Sequence, residues 1–161
     1  MKDLIYLEAP NRLDRYSSID LSRTIFLAGS ITGAWDWQKE AADILLPHFN
    51  IFNPRRDNFD TSDKNAERIQ ITWEYQHLDL AEITLFYFAP ETLAPITLLE
   101  YGKQLLKSKY APFRKTYVTI HPDYKRKNDV LIQTQLENPT ILKNCYENLH
   151  EMYQAIIKGN S

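Results

Sequence analysis

The stretch "ITLFYFAPETLAPITLLEYG", residues 83 to 102, decides the fold. Ile83 to Ala89 are mostly β-branched and aromatic residues bounded by Pro90, which predicts a central strand. Pro95 then opens an amphipathic helical pattern. A buried strand feeding a helix is one step of an alternating α/β domain. The neighbouring sequence repeats that step. "TIFLAGS" (24 to 30) reads as a buried strand, followed by the helix "AWDWQKEAADILLPHF" (34 to 49), with Trp37, Ala41, Ile44 and Leu45 on one face and Pro47 near its end. "NIFNP" (50 to 54) predicts a second strand, and "RRDNFDTSDKN" (55 to 65) a polar loop. "TYVTI" (116 to 120) and "VLIQT" (130 to 134) bring the strands to five, and Asn138 and Pro139 open a last helix running to about Lys158.

These elements predict a doubly wound, mostly parallel five-stranded sheet with helices on both faces, in the order 2-1-3-4-5. No composition shift divides the chain, so residues 1–161 read as one domain, with 1–22 an N-terminal extension and 138–158 a C-terminal helix. A chain of this length buries roughly 70% of the surface its unfolded form exposes. Hydrophobic residues make up 43%, charged residues 25%, and the net charge is -2. That balance argues against a nucleic-acid polymer as partner and for a monomeric ligand held in a pocket. Cys145 is the only cysteine, which excludes an intramolecular disulfide and suits a reducing compartment. With neither a signal-like start nor an apolar run of membrane-spanning length, a cytoplasmic protein with no membrane partner is expected.

In such sheets ligands bind beyond the carboxyl ends of the strands, where the strand order reverses. Three segments fall there: "AGSITG" (28 to 33), "NPRRD" (53 to 57) and "APETLAPITLLE" (89 to 100). Gly29, Ser30 and Gly33 suit close backbone approach to a phosphate or sugar, or an ordinary strand-to-helix turn. Arg55 and Arg56 suit phosphate or carboxylate, or a solvated loop. Glu74 shares a helix face with Ile71, Tyr75 and Leu78, so it reads as a carboxylate drawn toward apolar surroundings or one at the edge of the stripe. Glu100 has two readings. In one, "TLLE" (97 to 100) is a capping box, Thr97 capping the helix and Glu100 reaching back; in the other, Glu100 is a carboxylate aimed at the cleft, with Gly102 leaving room beside it. The four histidines lack ligand-like spacing, so no zinc site is expected.

"IFLAGSITGAWDWQ", "FNPRRDNFD", "ITWEYQHLDLAEITLFYFAPETLAPITLLEYG" and "KRKNDV" together resemble the nucleoside 2-deoxyribosyltransferase-like family, which includes deoxynucleoside-monophosphate N-glycosidases. The resemblance implies a flavodoxin-like fold and cleavage or transfer at the bond between a nucleobase and its sugar, in a nucleoside or its 5'-monophosphate, through a covalent glycosyl-enzyme intermediate. It implies Glu100 as the nucleophile and Glu74 as the second acid. Gly29, Ser30 and Ile31 would line the sugar or 5' side; Asn53, Arg55 and Arg56 belong to the subgroup pattern, and Trp37 is a substrate-binding candidate. Trp35, Phe59, Trp73 and Tyr75 are further candidates for stacking on a base. Many relatives carry aspartate in place of Glu74 and serine in place of Ala94. No cofactor or metal is implied, and relatives often assemble as homo-oligomers. Two other classes fit the same residues: a glycohydrolase acting on NAD, and a nucleotide-binding module without catalysis.

Overall fold

The computed structural model describes residues 4–14, 16–57 and 62–160, so Phe59 lies outside the described residues. Six parallel strands form one sheet: β1 (Tyr6–Glu8), β2 (Thr24–Gly29), β3 (Asn50–Asn53), β4 (Ile83–Phe88), β5 (Lys115–Ile120) and β6 (Cys145–Tyr146), in the order β1-β3-β2-β4-β5-β6. The five strands from β2 onward thus stand in the expected 2-1-3-4-5 order, and the fold is flavodoxin-like. The sixth strand is β1. It lies within the N-terminal extension and pairs parallel with β3 through Tyr6–Ile51, Leu7–Phe52 and Glu8–Asn53.

Helices α1 (Trp37–Leu45) and α5 (Leu149–Gly159) cover one face; α2 (Lys64–Leu80), α3 (Pro95–Tyr110) and α4 (Lys127–Glu137) cover the other. Side chains alternate accordingly. Leu27, Leu85 and Tyr87 pack with Trp37, Met152 and Tyr153, whereas Phe26, Phe86, Phe88 and Val118 pack with Trp73, Tyr101 and Leu105. All six residues of β2 and of β4 are buried, as central parallel strands require.

Two expectations fail in the C-terminal third. "VLIQT" lies inside α4, with Val130 and Thr134 buried four residues apart and Ile132 and Leu136 exposed; five apolar-rich residues are too few to separate the two periods. The fifth strand is instead the two-residue β6. The expected helix from 138 is a 3-10 turn (Pro139–Asn144), then β6, then α5, which Asn148 caps through the backbone N–H groups of His150 and Glu151.

The N-terminal segment is bound to α2 beyond β1. Trp73 Nε1–H donates to the Asn11 carbonyl at 2.7 Å, and the Tyr16 hydroxyl meets His77 Nε2 at 2.9 Å. His77 is buried, stacked on Trp73, with Nδ1 2.7 Å from the Trp73 carbonyl.

Candidate active site

The strand order reverses between β2 and β4, and the turn after each, with the loop after β3, stands at the carboxyl end of the sheet. Gly29 ends β2 at φ +151, where a Cβ would lie 2.6 Å from the Tyr87 carbonyl oxygen and 2.7 Å from the Trp37 ring. Glycine is needed here for packing against Tyr87 and Trp37. Ser30, 1% exposed, stitches the strand ends together: its hydroxyl accepts from the Ala89 N–H at 3.1 Å and donates to the Tyr87 carbonyl at 3.3 Å. Trp37 is wholly buried and its Nε1–H donates to the Ser30 carbonyl at 2.8 Å, so it supports the turn from beneath and cannot stack on a ligand. The turn itself leaves Ile31 half-buried and Thr32 exposed.

The 53–57 loop separates its two arginines. Asn53 is buried, accepting from the Arg55 backbone N–H at 2.9 Å and donating to the Tyr6 hydroxyl at 2.9 Å. The Arg55 guanidinium donates to the carbonyls of Trp35 (2.8 Å) and Ala34 (3.1 Å) and to Gln38 Oε1 (3.2 Å), with Asp36 3.7 Å from its Nε. It is a clamp on the β2–α1 turn. Arg56 is half-buried and lowers the pKa of Glu74 by its charge, so of the two it is the arginine directed to the acidic site.

Glu74 and Glu100 come from different helices. On α2 the buried face is Gln70, Trp73, His77 and Leu78; of the expected stripe only Leu78 belongs to it, while Ile71 is 57% and Tyr75 64% exposed. Trp73 and His77 occupy the core side, and Glu74 sits half-buried at the boundary. Burial pushes its carboxyl up, while a hydrogen bond from Gln70 Nε2 at 2.6 Å and the charge of Arg56 pull it down. The capping-box reading of Glu100 is overturned. α3 begins one turn earlier, at an Ala94 N-cap in left-handed conformation (φ 46) with Pro95 next, and Thr97 is a buried helical residue. Glu100 therefore lies in the second turn, beyond reach of the cap. Burial, then the neighbouring charge of Glu74, push its carboxyl up to about 8, against a smaller opposing effect of Lys103.

Of the aromatic candidates, Trp73 joins Trp37 in the core and Tyr75 lies on the outer surface. Trp35, 46% exposed and hydrogen-bonded to Tyr87, is the one in the β2–α1 turn. Gly102 meets no atom within 4 Å of a notional Cβ. The residue missed from the sequence is Gln70, whose signal was its i, i+4 spacing to Glu74. Among the described residues no cluster of His, Cys, Asp or Glu could hold a metal ion, and no helix is long and apolar enough to cross a membrane.

A search of curated proteins finds no match. Residues 22–124 match the family model described as nucleoside 2-deoxyribosyltransferase like. That span runs from β2 through β5 and carries the switch point, the arginine loop and both acidic helices, so the chain belongs to the nucleoside 2-deoxyribosyltransferase-like family.

Proposed function

We propose that this protein breaks the N-glycosidic bond of a deoxynucleoside or nucleoside 5'-monophosphate, with Glu100 as nucleophile and Glu74 as general acid. The observation that carries this reading is that two half-buried carboxyl groups from different helices lie close enough for the charge of Glu74 to raise the pKa of Glu100, so that the pair resists losing both protons. A two-step displacement at an anomeric carbon uses one ionised and one protonated carboxyl. In the free protein burial and the charge of Glu74 favour the proton on Glu100, so the assigned roles require it to pass to Glu74 when substrate binds and positive charge develops at C1' against Glu100. A carboxylate oxygen of Glu100 bonds to C1' as the C1'–N bond breaks, and the departing electron pair on the base nitrogen takes the proton of Glu74. In the second step water, or a second base, gives its proton to the now ionised Glu74 as it attacks C1' and releases Glu100. Water gives hydrolysis and a base gives transfer.

Arg56 is the candidate for a 5'-phosphate, Ile31 and the 30–33 turn for the sugar, and Trp35 for a base. A second copy of the chain is the expected partner. Ile71 and Tyr75 on α2 and Ile96, Leu99 and Leu106 on α3 leave an apolar surface in water, and Gly102 lies beside Leu106 with open space around it. Cys145, its thiol pushed up to about 11 by burial, is a packed residue compatible with the cytoplasm.

Chromatography of nucleosides, their 5'-monophosphates and NAD, each incubated with and without a second free base, tests the reading. Free base is expected from a deoxynucleoside or monophosphate, and an exchanged product when the second base is accepted. Glu100→Gln is expected to lose both by at least about 100-fold. A fully active Glu100→Gln variant removes the nucleophile assignment; release from NAD alone moves the substrate to the nicotinamide bond.

A further inference from the structure

Gln70 lies one helical turn before Glu74 and is 9% exposed. Its side-chain nitrogen carries two hydrogens, and both are engaged: one reaches the Pro54 carbonyl at 2.7 Å, the other Glu74 Oε1 at 2.6 Å. A backbone carbonyl only accepts, so turning the amide over would set two oxygens against each other, and its orientation is fixed by its neighbours. Gln70 Oε1 is left buried without a hydrogen-bond partner among the described residues. An exposed glutamine–glutamate pair at this spacing would contribute little. This one is buried, spans two elements and tolerates an unpaired acceptor, which indicates that the nitrogen's two bonds matter more than the oxygen's absent one.

We propose that Gln70 is a positioning residue for the reaction put forward above: by occupying Oε1 of Glu74 it assigns the transferable proton to Oε2, and through Pro54 it ties that carboxyl to the loop that bears Arg56. The inference rests on that reading of the reaction. A protonated carboxyl carries its hydrogen on one oxygen, and an N–H aimed at the other favours that arrangement. As the C1'–N bond breaks, the base nitrogen takes the proton from Oε2 and negative charge spreads onto Oε1, where the Gln70 N–H meets it. The same donor makes Glu74 a stronger acid, opposing the effect of burial. Glu74 is faced by Gln70 on its own helix, Arg56 from the loop and Glu100 from α3, while Lys103 acts on Glu100.

Gln70→Met keeps the length and apolar body of the side chain but has no N–H to give. It should be compared with wild type on two leaving groups: an unmodified nucleobase, which needs a proton, and 7-methylguanine, which leaves without one. Release of the unmodified base is expected to fall at least about 10-fold and release of 7-methylguanine less than about threefold, the pattern of a lost general acid. Equal losses, or none, overturn the inference. Carbon-13 NMR titration of the Glu74 carboxyl, assigned with Glu74→Gln, needs no turnover: its midpoint should rise in Gln70→Met, and an unmoved midpoint also overturns the inference. A raised midpoint in an enzyme that releases neither base sinks the reading of the reaction while upholding the tie between Gln70 and Glu74. If Gln70→Met does not fold, Gln70→Glu, of equal length and polar, replaces the donor by an acceptor and gives the same two readouts.

Discussion

Glu100 holds its proton more tightly in the folded protein than in the unfolded chain, where a glutamate titrates near 4.5. A raised pKa contributes stability that is full below that range and lost as pH climbs through about 8. Glu100→Gln, which cannot ionise, should therefore melt a few degrees above wild type at pH 8 to 9, with the gap closing by pH 5. A gap that does not vary with pH would show that Glu100 is not desolvated. The two arginines separate in a similar way. Arg56→Ala should weaken a monophosphate more than its nucleoside by about 1.5 to 3 kcal/mol, the value of a charge-assisted hydrogen bond. Arg55→Ala should weaken both alike and lower the melting temperature, because the carbonyls of Ala34 and Trp35 lose their donor. Calorimetry on both ligands decides, and a phosphate-specific loss confined to Arg55→Ala reverses the assignment. Sequence placed both arginines and Glu100 at the strand ends and Glu74 on a helix face, but not which arginine faces the acids, because that depends on contacts with residues 17 to 21 positions away.

At the scale of elements, β2, β3, β4 and β5 were legible because each is a run of buried β-formers closed by proline, glycine or a polar loop. β1 and β6 were not. Three and two residues carry no periodicity, and both strands exist only because a neighbour's ladder offers hydrogen bonds. The start of α3 at Pro95 was legible, but the capping-box reading of "TLLE" conflicted with it: Pro95 with its preset φ already forms the first turn and places Thr97 inside the helix. Ala94, entering that helix with positive φ, holds a conformation that costs an L-residue roughly 1 to 2 kcal/mol. Ala94→Val should lower stability by at least that amount, since a β-branched residue tolerates the left-handed region less well. Thermal melting checks this, and an unchanged midpoint would mean that the α3 entry relaxes freely.

For the whole molecule, the exposed surface of α2 and α3 bears on assembly. Glycine inside a helix costs about 0.5 to 1 kcal/mol against alanine, and none of the described residues packs close enough to require Gly102. Such a residue beside Leu106 fits close approach by a second helix. Sedimentation equilibrium should find wild type as a dimer or larger and Leu99→Glu shifted to monomer; a monomeric wild type removes the proposal. The sheet would leave such an association to the helices. Its outer strands are only three and two residues long, so each edge offers few free amide and carbonyl groups to an incoming strand. Copies that meet through side chains can close into a finite particle, whereas strand addition at a long bare edge would have no natural end, and this protein should stay in solution at concentrations where an open-edged sheet would grow fibrils.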